Sequence, residues 1–177
     1  MHRIERRRHG FVLTFAGMVR VAEMTLWLEE SKRQLQKAGP AFGVIIDIRR
    51  LAPLDGESQV AMVDGQELFK KNGMTRSAVI VADPKVARQY GRLAEQSGIA
   101  TNVRIIDACR PGDWSAIAVS WVRDALDPDA WFPRGPIRRH PKDKPVRFRR
   151  ARARPVALLS RPRRTPALRP GEVRCRE

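Results

Sequence analysis

Residues 44–58 read VIIDIRRLAPLDGES. The first five, Val44–Ile48, form a short β-branched run broken only by Asp47, the composition of a strand covered on both faces. Two arginines follow, and then a Pro-Leu-Asp-Gly-Glu-Ser corner. Past the corner, Ser58 to Lys71 has helical character and stops at Asn72-Gly73. A doubly buried strand that passes through a tight corner into a helix is the building unit of a parallel α/β sheet.

The same unit recurs on either side. Phe11–Phe15 is rich in strand formers, and Arg20 to Ala38 places Val21, Met24, Leu28 and Leu35 near one helical face before Gly39-Pro40 ends it. Ala78–Ala82 (AVIVA) is the most apolar strand. Asp83-Pro84 supplies a cap and a first-turn proline for a helix bearing Val86, Tyr90 and Leu93. Gly98 closes that helix, Val103–Ile106 is a fourth strand, and Pro111-Gly112-Asp113 introduces a last helix with Trp114, Ile117, Trp121 and Val122. The pattern predicts one α/β domain over residues 10–133, with a four-stranded, mainly parallel sheet and four alternating helices.

Charge is distributed unevenly. The whole chain carries +16, but residues 134–177 hold 16 Lys+Arg against 3 Asp+Glu, and residues 1–9 hold four arginines against one glutamate. The stretch 10–133 has 15 of each sign and sums to zero. The basicity therefore describes a basic segment at 1–9 and an Arg/Pro-rich tail at 134–177. The tail has too few apolar clusters to offset its ordering entropy and is read as disordered. Within it Arg147, Arg149, Arg150, Arg152 and Arg154 surround Phe148, a composition suited to sequence-independent contact with polyanions.

HRIERRRHG followed by FVLTFAGMV resembles the charged and apolar regions of a signal peptide. Phe11–Phe15 nevertheless has strand composition, and Arg20 interrupts the apolar stretch, so a cytoplasmic protein is expected. No apolar run reaches the roughly 18 residues of a membrane helix. Cys109 and Cys175 form no CxxC pair and are expected to be reduced.

Residues 10–133 contain no histidine, which leaves no Ser-His-Asp or Cys-His arrangement to be drawn there. HExxH, P-loop and dinucleotide motifs are missing as well, so neither metal nor cofactor is expected, and the chain reads as a non-enzyme. Asp47, Asp83 and Asp107 end strands, where ligands bind in parallel α/β sheets. A receiver-type phospho-aspartate site would need an acidic pair after the first strand. Thr14-Phe15-Ala16-Gly17 stands there instead.

The order strand, helix, VIIDI, corner, helix, AVIVAD, helix, VRIID, Trp-rich helix over about residues 10–127 resembles the STAS superfamily, in particular its small bacterial STAS/CRAL-TRIO-like, anti-sigma-factor-antagonist-like proteins. In the antagonists an Asp-Ser step at this corner carries the serine that a partner kinase phosphorylates. Aligned on Asp55, that position is Gly56, and Ser58 is the nearest hydroxyl. The resemblance thus marks Asp55 and Ser58 as a possible switch loop, with helix capping as the plainer role. Arg49 and Arg50 are candidates for anion contact.

The function these readings favour is a non-enzymatic interaction module that meets an unidentified protein partner through the second helix, with Asp64 and Glu67 beside Lys70 and Lys71, and through the preceding loop. One alternative is binding of nucleic acid or an anionic surface by the Arg-rich tail. Another is a small apolar ligand held by Met24, Trp27, Trp114 and Trp121.

Overall fold

The computed structural model describes residues 1–110 and 112–128. The tail assigned to 134–177, including Arg147, Arg149, Arg150, Arg152 and Arg154, lies outside them. The elements are β1 (His2–Arg7), β2 (Gly10–Gly17), α1 (Val21–Leu35), β3 (Phe42–Leu51), α2 (Gly56–Lys71), β4 (Met74–Val81), α3 (Pro84–Gln96), a short 3₁₀ turn (Ala100–Asn102), β5 (Val103–Asp107) and α4 (Trp114–Asp124).

The sheet has five strands, not four, in the order β1-β2-β3-β4-β5. β1 pairs antiparallel with β2, and the other pairs are parallel. The additional strand is the segment set apart as a basic terminus. Its sequence, HRIERR, hides the alternation because the edge carries charge on both faces. Ile4 alone packs, partly buried, against the core. On the opposite side Glu5 lies between Arg3, at 3.0 Å, and Arg7. Charged edges of this kind discourage further strand pairing.

Three crossovers run in the same direction along the sheet, so connections of one hand place α1, α2 and α3 on one face. That face holds Phe11, Leu13, Phe15, Val44, Ile46, Ile48, Val79 and Val81 in the larger core. α4 covers the other face, where Trp121, Val122 and Ala118 pack on Ile45, Ala78, Ile80 and Ile106. The period-2 alternation of β3 therefore feeds two separate cores. This is why Val44–Ile48 reads as continuously apolar.

Two glycines set the helix distances. A Cβ on Gly43 would come 2.7 Å from the Val122 Cβ, so α4 rests directly on β3 there. A Cβ on Gly65 would meet three atoms of the Trp27 ring, the nearest at 2.0 Å. The contact with Trp27 seats α1 against α2. Capping follows the sequence: Asp55, Asp83 and Asp113 each accept hydrogen bonds from backbone N–H groups of the turns they open.

Cys109, just beyond β5, is disulfide-bonded, which corrects the expectation of reduced thiols. The 3.5 Å approach of its Sγ to the Ala82 carbonyl is accordingly a contact and not a donated hydrogen bond.

Candidate functional site

The carboxyl ends of the strands gather the expected site residues, and most are occupied by structural bonds. Asp47 takes both Arg49 Nε (2.9 Å) and Nη2 (2.7 Å), and the Arg49 guanidinium lies 4.0 Å from the centre of the Trp114 ring. Arg49 is thus held on the α4 face, while Arg50 is exposed. The two arginines do not converge on one point. Asp83 accepts from the Lys85 N–H at 2.7 Å as a helix cap, and Asp107 accepts from the Cys109 N–H at 2.9 Å.

The corner after β3 is built more firmly than a connecting loop requires. The Gln89 side chain from α3 brackets the Leu54 peptide: its Oε1 accepts the Leu54 N–H, and its Nε2 donates to the Leu54 carbonyl, both at 2.9 Å. Gln59 donates to the same carbonyl at 3.0 Å. Asp55 then caps α2 by accepting the Ser58 N–H at 2.8 Å. Hydrogen bonding from Ser58, by its hydroxyl first and its backbone N–H second, holds the Asp55 carboxyl below the ordinary carboxylate value, and Arg20 adds attraction. The Ser58 hydroxyl also lies 3.3 Å from the Val19 carbonyl. Its single proton serves both acceptors, and the charged one is favoured.

Ser58 has no exposed surface. A kinase would reach it only if the first turn of α2 opened. On the two segments that meet here three apolar residues are exposed: Met18 by 67 %, Val60, on the outer side of α2, by 63 %, and Val21 by 39 %. The β2–α1 loop, which carries Met18 and leads into Val21 at the start of α1, is joined to the corner by the Ser58–Val19 contact and by a bond from the Ala52 N–H to the Gly17 carbonyl at 3.0 Å. Sequence pattern does not report these exposures, because single apolar residues off the buried faces have no period. On α2, Asp64 is exposed and Glu67 lies 3.6 Å from Lys71.

The four residues offered for an apolar pocket do not share one. Met24 and Trp27 belong to the core beneath α1–α3, whereas Trp114 and Trp121 lie under α4 across the sheet. One void in the larger core is lined by Trp27, Phe15, Met62, Phe69, Gln66 and Tyr90 among others, and has a volume of about 10 Å³. That is room for about one water molecule. Trp27 Nε1, Gln66 Nε2 and the Tyr90 hydroxyl, on three residues that line this void, have no hydrogen-bond partner among the described residues. Burial pushes the Tyr90 phenol well above its usual value, and the neighbouring Gln66 eases the shift without a bond of good geometry. Among the described residues no group of three or more His, Cys, Asp or Glu side chains could hold a metal ion, and no helix is long and apolar enough to cross a membrane.

One titration follows from the opposite end of the sheet. Burial, with Arg7 and Arg123 adding repulsion, lowers the His9 pKa below 6.5. The unfolded chain therefore binds the proton first as pH falls. His9 contributes stability that is complete above about pH 6.5 and is lost between there and its lower folded value. Urea midpoints at mildly acidic and neutral pH check this: His9→Gln makes the decline shallower than in the parent.

No family model matches the chain, and no curated protein matches it. Among solved structures it is similar to the NMR structure of the protein TM1081, at 15 % identity over 70 % of this chain and 89 % of that one, with a TM-score of 0.50. At that identity the likeness concerns the fold alone.

Proposed function

We propose that the chain is a non-enzymatic, STAS-like interaction module. It receives a protein partner where the β2–α1 loop meets the start of α2. The observation that carries this reading is the exposure of Met18, Val21 and Val60 on the two segments that meet at a corner held fixed by Gln59, Gln89 and Asp55. Apolar side chains kept in water beside a rigid, charged rim are the composition of an interface centre. A preformed corner also lowers the ordering cost of association. On this reading the corner keeps the shape of the antagonists' switch loop, with Gly56 in place of the serine, and binding is not gated by phosphate.

Affinity purification of the full chain beside its Val60→Asp and Leu26→Asp variants tests the proposal. Leu26 is 65 % exposed and lies on α1, beyond its first turn. The expected result is a partner retained by the parent and by Leu26→Asp and lost with Val60→Asp. Equal capture by all three chains, or capture of nothing beyond background proteins, sinks the idea.

A further inference from the structure

We propose that the exposed face of α3 is a contact surface for the phosphate backbone of nucleic acid. α3 buries Val86, Tyr90, Leu93 and Ala94 and turns Lys85, Arg88 and Arg92 to solvent. At about 100° and 1.5 Å per residue, these three cations fall within an arc of about 60° and span about 10 Å along the axis. Long side chains on such a stripe reach successive phosphates of one strand.

The three side chains have no ion pair or hydrogen bond with any described residue. Most other exposed cations of the fold are engaged: Lys32 with Glu29, Lys71 with Glu67, Arg123 with Asp124, and Lys70 with the Gly98 carbonyl. That last bond, at 3.0 Å, puts a fourth cation beside the C-terminal end of α3. Of the acids nearby, Asp83 is taken up as the helix cap. Glu95, one turn beyond Arg92, is exposed and pairs with none of the three. The zero net charge of residues 10–133 therefore conceals a basic face on α3, which a residue count does not show.

What the stripe lacks selects its partner. The large exposed apolar residues are Met1, Met18, Val21, Leu26, Val60 and Leu126, and none lies on α3. A protein partner is anchored by apolar or aromatic side chains, and an interfacial membrane helix inserts an apolar face, which here is buried in the core. Sequence-independent phosphate contact needs only Lys and Arg.

The test is the salt dependence of binding of the full chain to a short mixed-sequence DNA duplex, followed by fluorescence anisotropy. It compares the parent with Lys85→Gln/Arg88→Gln/Arg92→Gln and with a charge-matched control on and just past α1, Lys32→Gln/Arg33→Gln/Lys37→Gln. All six positions are exposed, and the Arg-rich tail is common to every chain. Three lost phosphate contacts reduce the magnitude of the log K against log salt slope by about 2 to 3, and the control leaves it near the parent value. The proposal is overturned if both triple variants shift the slope equally, or if the α3 variant shifts nothing. It is also overturned if the α3 variant loses binding to polyglutamate while keeping its affinity for DNA, which would assign the stripe to an acidic protein.

Discussion

Gly65→Ala lowers the stability of the domain by about 2 kcal/mol, although alanine is the better helix former by about 1 kcal/mol in an exposed helix interior. The added methyl would stand 2.0 Å from one atom of the Trp27 ring and 2.3 Å from the next. The ring cannot swing aside cheaply. It is 2 % exposed, packs edge-on against Phe15 at 5.2 Å between centroids, and stacks on Phe69 at 6.3 Å. Relief must come from α1 moving off α2, which opens the contact between the two helices. Overpacking of this severity exceeds the propensity gain, and the sign of the net effect follows. In thermal unfolding, about 2 kcal/mol appears as a fall of several degrees in Tm. The cause is checked by a double-mutant cycle. Trp27→Leu destabilises by itself through the volume it removes, but in its background Gly65→Ala becomes neutral or stabilising. If Gly65→Ala costs the same with Trp27 present or absent, the indole is not what excludes the methyl.

Gly65 also shows where sequence reading stops. The alternation of strands and helices was legible, since Val44–Ile48 and Ala78–Ala82 carry their burial in their composition, and Asp83 and Asp113 mark helix starts. β1 was not legible, because an edge strand bonded on one side can carry arginines at nearly every position, and only Ile4 touches the core. Gly65 inside a helical pattern reads as a mild defect until the ring above it is seen. The corner was legible as a place and not as a surface. Asp55 announced a cap, but the burial of Ser58 depends on how the β2–α1 loop returns to meet α2, with Val19 lying 39 residues before Ser58. The basic stripe of α3 was obscured for a related reason. Its three cations are spaced for a helix face, and their sum is cancelled by acids that lie elsewhere on the surface.

Ser58→Asp is the substitution that bears most directly on how the corner works. It places a carboxylate at a position with no exposed surface, against the Asp55 carboxylate that already accepts the Ser58 N–H at 2.8 Å. Burying a charge beside a like charge, with no ion pair of its own and only the exposed Arg20 acting on the corner, costs about 3 kcal/mol or more in this setting. The start of α2 offers some return, since a negative charge at a helix N-terminus gains about 0.3–1 kcal/mol, and that is too little to reverse the sign. Ser58→Ala, which only gives up the shared hydroxyl bond, loses about 1 kcal/mol. The expected order in urea midpoint is therefore parent, then Ser58→Ala, then Ser58→Asp well below both, with amide exchange at Asp55–Gln59 accelerated in the aspartate variant. A domain of ordinary stability, about 5–15 kcal/mol, still folds with that loss, so the variant can be examined folded. If Ser58→Asp is instead as stable as the parent and abolishes partner capture, the first turn of α2 opens readily. Ser58 would then be the phosphate switch that its burial argues against.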